Sequence, residues 1–285
     1  MAEDLIDFSV PLGPVSVSIN GLLRKLFVRK AQSPSDIVAE RFLVLFGAHG
    51  VAVSQIPRLL PQVGLDHLNS RDSLLGALTN DVLDETGKLF GVEREWLDGV
   101  SDRLYASRTI YKRPVNLFRD LATLKRDDDW FPVRALYCTN ELNAADNRSQ
   151  PLVLLLAERI AEFGDEEIMK YRVYSDTWDW SYGPARVQLK AMARLAFLAL
   201  DCPVPLYRVG SGIMDRIMDG KAVPRSYLTG SPLTNPSLED FALTVEESGQ
   251  AKECEELPTV LQYIRETKLD EAAARTVSQQ KGEDS

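Results

Sequence analysis

In PLVLLLAERIAEFGDEEIMKYRVYSDTWDWSYGPAR, residues 151–186, apolar side chains are spaced as in extended chain until the last four positions. Residues 151–163 and 168–182 read as two strands, and the run 163–167 between them, FGDEE, reads as the loop of a hairpin. Gly183-Pro184 marks a change of period, because proline fits the first position of a helix, and ARVQLKAMARLAFLAL continues as that helix. Within the second strand the even positions carry Tyr174, Asp176, Trp178, Trp180 and Tyr182, and the odd ones Ser175, Thr177, Asp179 and Ser181. A period of two puts the four aromatics on one face of a sheet.

Working outward, FPVRALYCT (131–139) reads as a further strand and VPLYRV (204–209) as a return to the sheet, with a short capped helix in GSGIMDRIMDG. Strands and helices do not alternate as βαβ units, so this half is expected to be α+β with a mainly antiparallel sheet. Upstream, residues 36–105 have helical spacing. Ile37, Phe42, Leu45 and Phe46 form the inner face of a first helix. A second short helix starts at Ser54, a third covers about 65–75, and a fourth begins at Thr79 or Asn80. The expected organisation is therefore mixed. An arm or hairpin over 1–34 holds VSVSI and the hairpin dipeptide Asn20-Gly21. An all-α domain over 35–110 follows, then an α+β domain over 130–230. Residues 231–285 make an acidic tail with one helix near 257–273 and a disordered end.

GKLFGVEREWLDG, residues 87–99, is the most distinctive phrase in the helical half. An apolar helix ends at a glycine turn, and a short second segment finishes in Trp-Leu-Asp-Gly. This resembles the close of Cro/C1-type (XRE-like) helix-turn-helix domains. The resemblance implies a second helix from Ser54-Gln55, a turn at Gly64-Leu65, a recognition helix over Asp66–Leu75, and a closing pair from Leu78-Thr79. A recognition helix turns a polar side into the major groove while its neighbours clamp its apolar side. Leu65, Leu68, Leu74 and Leu75 would be clamped. His67, Asn69, Ser70 and Arg71 would face bases and phosphates, and Gln55 and Arg58 would reach the backbone. Such proteins commonly act as symmetric dimers on paired half-sites. The partners implied are double-stranded DNA, a second copy of the chain, and a small-molecule or protein effector of the α+β half. Asp66 and Asp72 on the same segment would repel phosphate. The competing reading is a protein-docking module that uses the same helices without DNA, through the leucine-rich surface of Leu59, Leu60 and Leu65.

Composition bounds these readings. Net charge is −9, of which −7 falls from Asn235 onward, leaving −2 for residues 1–234. A near-neutral body is a weak footprint for a nucleic-acid binder. The longest apolar run, Leu152–Ala157, is far short of a membrane span, and the acidic start lacks a signal-peptide pattern. Cys138, Cys202 and Cys254 are odd in number and form no CxxC pair, which points to a reducing, cytoplasmic setting and away from a structural zinc site. The only histidines, His49 and His67, lie in the helical half and outside any metal-ligand spacing. No catalytic cluster, metal site or cofactor motif is expected. The aromatic row Tyr174, Trp178, Trp180, Tyr182 reads first as core packed on the following helix. Second, with Asp176 orienting it, the row reads as a platform for a planar ligand.

Overall fold

The computed structural model describes residues 33–125, 131–176, 178–229, 235–248, 254 and 256–283. The expected arm over 1–34 lies almost entirely outside them. A helical region is followed by an α+β region whose sheet is mixed and mostly antiparallel. Two compact units are resolved: Met1–Ala106 with Arg159–Lys170 and Val223–Tyr227, and Ser107–Glu158 with Tyr171–Ala222 and Leu228–Ser285. The end of the expected hairpin therefore counts with the helical unit, a division that a linear reading of the chain does not contain.

The helical unit opens with α1 (Pro34–Ala48). Ser33 begins it as a reciprocal capping box. Its hydroxyl accepts from the Asp36 amide at 3.2 Å, and Asp36 accepts from the Ser33 amide at 2.9 Å, satisfying two donors that a helix start leaves open. α2 (Ile56–Leu59) continues a 3₁₀ turn over Val53–Gln55. α3 (Arg71–Ala77), α4 (Asn80–Phe90) and α5 (Arg94–Leu97) complete it. Phe42, Phe46 and Phe90 are wholly buried, with Phe46 edge-on to Phe90 at 5.0 Å. His49 lies 4.2 Å from the Phe90 ring, and its Nδ1 is 2.8 Å from the Leu45 carbonyl. Burial lowers its pKa to about 4, so it is a neutral core residue at neutral pH.

Further along the chain α6 (Val115–Leu121) precedes β1 (Val133–Tyr137), β2 (Pro151–Phe163), β3 (Glu166–Val173) and β4 (Trp178–Asp179). Then come α7 (Gly183–Leu200), β5 (Leu206–Arg208), α8 (Ser211–Met218), α9 (Val245–Ser248), α10 (Leu257–Thr267) and α11 (Leu269–Glu283). Strand order is β3-β2-β1-β5, with β4 also paired to β2. β1 runs antiparallel to β2 (Ala135 opposite Leu154) and parallel to β5 (Leu136 opposite Tyr207). The apolar run Leu152–Ala157 is buried throughout, as a strand covered on both faces requires.

Two expectations are corrected here. The stretch 168–182 is not one strand: β3 ends at Val173, and β4 resumes against Pro151 and Leu152. Asp176 supplies the reason. Its carboxylate leaves the ladder to accept from the amides of Ile110 (2.6 Å) and Tyr111 (2.9 Å) and from the Thr109 hydroxyl. The acidic tail, in turn, is structural. α10 and α11 are separate helices broken at Lys268, which takes a left-handed conformation (φ 52°), and α11 continues to Glu283. Val260, Ile264, Leu269, Ala272 and Ala273 join the core that α7 and α6 line. Thr276 donates to the Phe118 carbonyl at 2.9 Å and Gln280 to that of Leu121 at 3.2 Å. The apolar positions of this segment outweigh its net charge, since each fully buried aliphatic side chain contributes about 2 kcal/mol.

Candidate functional site

The segment expected to read DNA is built differently from a single recognition helix. A 3₁₀ turn covers His67–Asn69, Ser70 is extended (φ −145°, ψ 158°), and α3 starts only at Arg71. The expected helix over Asp66–Leu75 is thus broken in its middle. Ser70 breaks it because its hydroxyl accepts from the Ser73 amide at 3.2 Å, which favours serine as a helix cap over a helix interior. Of the leucines expected to be clamped, Leu68 and Leu74 are buried, but Leu65 is 58% exposed. Leu60, expected on a docking surface, is wholly buried instead.

Most of the polar residues singled out for DNA already have work inside the unit. Gln55 accepts from the Ala52 amide at 2.8 Å, closing the 3₁₀ turn. The Arg58 guanidinium sits 4.3 Å from the Phe163 ring centre, a cation–π contact. His67 accepts the Gly64 amide on Nδ1 at 3.0 Å. Arg71 turns back to α1, where its Nε pairs with Asp36, and it also meets Asp72 at 3.0 Å. The Asp36 carboxyl falls to about 2, first through its hydrogen bond from Arg71 and then through those from Ser33. Asn69 is exposed.

Charge completes the picture of this face. Residues 33–106 hold eleven acids and six Lys or Arg, a net of −5. Four of the six bases are engaged: Arg58 and Arg71 as above, Arg41 on the carbonyls of Trp96 and Ser101, and Arg94 on Asp84 and Asp98. Between residues 65 and 76 the exposed positions are Leu65, Asp66, Asn69, Ser70, Asp72, Ser73 and Gly76. Two carboxylates and a large apolar side chain face water there with no exposed cation among them.

The aromatic row belongs to the core. Trp178 is wholly buried, edge-on to Tyr111 at 5.1 Å, and Trp180 meets Phe241 in the same manner at 5.1 Å. Tyr174 is buried, donates to Asp120 at 2.7 Å, and burial pushes its phenol pKa up. Tyr182 departs from the row: it precedes α7 as its cap residue and is 54% exposed. Three of the four aromatics, Tyr174, Trp178 and Trp180, are therefore core residues. Asp176, expected to orient a ligand, caps the backbone of Ile110 and Tyr111.

Sequence reasoning missed a cluster on α7. Arg186, Lys190 and Arg194 recur every four residues on an otherwise apolar helix and are each at least nine-tenths buried. Arg186 grips Glu256 with two nitrogens, at 2.8 and 2.6 Å, and donates to the Trp180 carbonyl at 2.6 Å. Lys190 meets the same carboxylate at 2.7 Å and lies 5.5 Å from the Trp180 ring centre. Arg194 holds Glu247 and the Ala242 carbonyl, the latter at 2.9 Å. The i, i+4, i+8 spacing was the available signal, but the carboxylate partners lie more than fifty residues downstream. Among the described residues no group of three His, Cys, Asp or Glu could hold a metal ion. Comparison of the chain with protein-family models, with curated proteins and with solved structures gave no match.

Proposed function

We propose that the helical unit is a protein-docking module that does not depend on DNA. One observation carries this: Arg71, the base expected to read a base edge, is paired with Asp36 inside the unit, while Arg58 lies over the Phe163 ring. The exposed segment beside Arg71 is acidic and carries Leu65, so its complement is a basic protein surface with an apolar contact. The α+β unit serves sensing or assembly in this reading, and a homodimer remains its expected form. All three cysteines are free, which supports a reducing cytoplasmic setting. Among the described residues no single helix is long and apolar enough to cross a membrane. The second reading is a DNA-binding transcriptional regulator, favoured by the order of one long helix, a short helix, a turn, α3 and two closing helices. Fluorescence anisotropy with random and genomically selected DNA fragments at low salt separates the two. Docking requires no saturable binding to any fragment. Saturable binding that Arg71→Ala weakens on one sequence, and that Arg58→Ala weakens on all, would establish the DNA reading instead.

A further inference from the structure

The sheet carries a nearly buried cation, Arg134, that makes no ion pair among the described residues. Arg134 stands on β1 opposite Leu155, while Leu136, two positions on, lies opposite Val153 and beside Tyr207. Residues opposed in register share a face, so Arg134 points to the side of Leu136, Leu155 and Tyr207. Val133 and Ala135 point the other way, into the core under α7. Arg134 is 8% exposed, and its Nε is buried without a hydrogen-bond partner. The Tyr207 ring centre lies 6.0 Å from its guanidinium carbon. That is the outer reach of a cation–π contact, and it occupies none of the N–H donors. Arg186, Lys190 and Arg194 are buried to the same degree, and each closes on a carboxylate. A guanidinium keeps its charge in any protein environment, and a buried N–H left without an acceptor is destabilising.

We infer that Arg134 anchors a binding site for a small oxyanion, a molecule bearing a carboxylate or a phosphate group. Its Nε–H and a neighbouring terminal N–H form the planar fork that grips two oxygens at once, and the Tyr207 ring lies alongside. Burial of the guanidinium restricts the ligand to a small molecule, since a polymer backbone could not reach it. The inference stands whether the helical unit docks protein or DNA.

The test uses the full chain in anion-poor buffer at constant chloride, titrated separately with acetate and with inorganic phosphate. Calorimetry follows binding and thermal unfolding follows linkage. At least one anion should bind saturably and raise the melting midpoint by about 3 °C or more at saturation. Acetate alone would assign a carboxylic acid, and phosphate alone a phosphate ester. Arg134→Met should abolish binding and, without anion, melt at or above the wild-type midpoint, because an apolar side chain removes the unpaired charge. Arg134→Lys, which keeps the charge but loses the fork, should bind at least tenfold more weakly and covers the case in which the methionine variant does not fold. Failure of both anions to saturate would overturn the inference. So would equal binding by the variants, or an anion-free methionine variant that melts below wild type, which would make Arg134 a packing residue.

Discussion

Replacing Glu256 by glutamine keeps the shape of the side chain and removes the charge that Arg186 and Lys190 share. The carboxyl sits at about 2 instead of its ordinary 4.5, chiefly through the hydrogen bond from Arg186 and against the cost of burial. At about 1.4 kcal/mol per pH unit, full expression of that shift would be worth about 3 kcal/mol. A quarter of the Glu256 side chain is still exposed, and screening there reduces the expectation to about 2 kcal/mol. The sign follows from linkage: a carboxyl depressed in the folded state contributes above its unfolded pKa and loses that contribution as pH falls. Urea unfolding of Glu256→Gln, followed by tryptophan fluorescence from Trp178 and Trp180, should therefore show the full loss at pH 7. Wild type and variant should converge between pH 4.5 and 2. A loss under about 0.5 kcal/mol at pH 7, or one that does not shrink on acidification, would refute the view that this clasp holds α10 to α7. In a double-mutant cycle, Lys190→Met should cost less in the glutamine background than in wild type.

Below pH 6.5 stability should begin to fall through His49. His49 is buried neutral with its pKa lowered to about 4, so its contribution is complete above 6.5 and lost as pH drops through 4. Removing that titration with His49→Gln should flatten the slope of unfolding free energy between pH 6.5 and 4. Ser70→Ala should cost about 1 kcal/mol by deleting the cap of α3, measured as a shift in urea midpoint; a single continuous helix over Asp66–Leu75 would instead tolerate or prefer alanine. Gly99 has φ +84°, and a Cβ there would lie 2.9 Å from Ile37 Cγ2, so Gly99→Ala should cost at least about 1 kcal/mol. An NMR titration should find the Asp36 carboxyl near 2 in wild type and raised in Arg71→Ala, but still below its ordinary value because the Ser33 hydrogen bonds remain.

What could be read along the chain was local. The turn after Phe163, the helix start at Gly183-Pro184 and the left-handed Gly91 that ends α4 follow from backbone chemistry of one or two residues. The continuous apolar run Leu152–Ala157 likewise suits a strand buried on both faces without knowing its partners. Misreadings arose where a side chain spends its hydrogen bonds on distant backbone. Asp176 caps residues some 65 positions earlier and so ends β3; Ser70 spends its hydroxyl on α3 and so splits the segment that looked like one helix. Composition misled in a third way. The tail is acidic overall, yet Glu247 and Glu256 are the carboxylates that neutralise Arg194, Arg186 and Lys190, so counting charge by segment mistook half of a set of ion pairs for a solvated extension. The same logic applies to the helical unit. The partners of its two motif arginines, Asp36 for Arg71 and Phe163 for Arg58, lie 35 and 105 positions away, beyond any local reading. Cations at motif positions bind nucleic acid only if the fold leaves them free, and here the capping box of α1 holds one of the two.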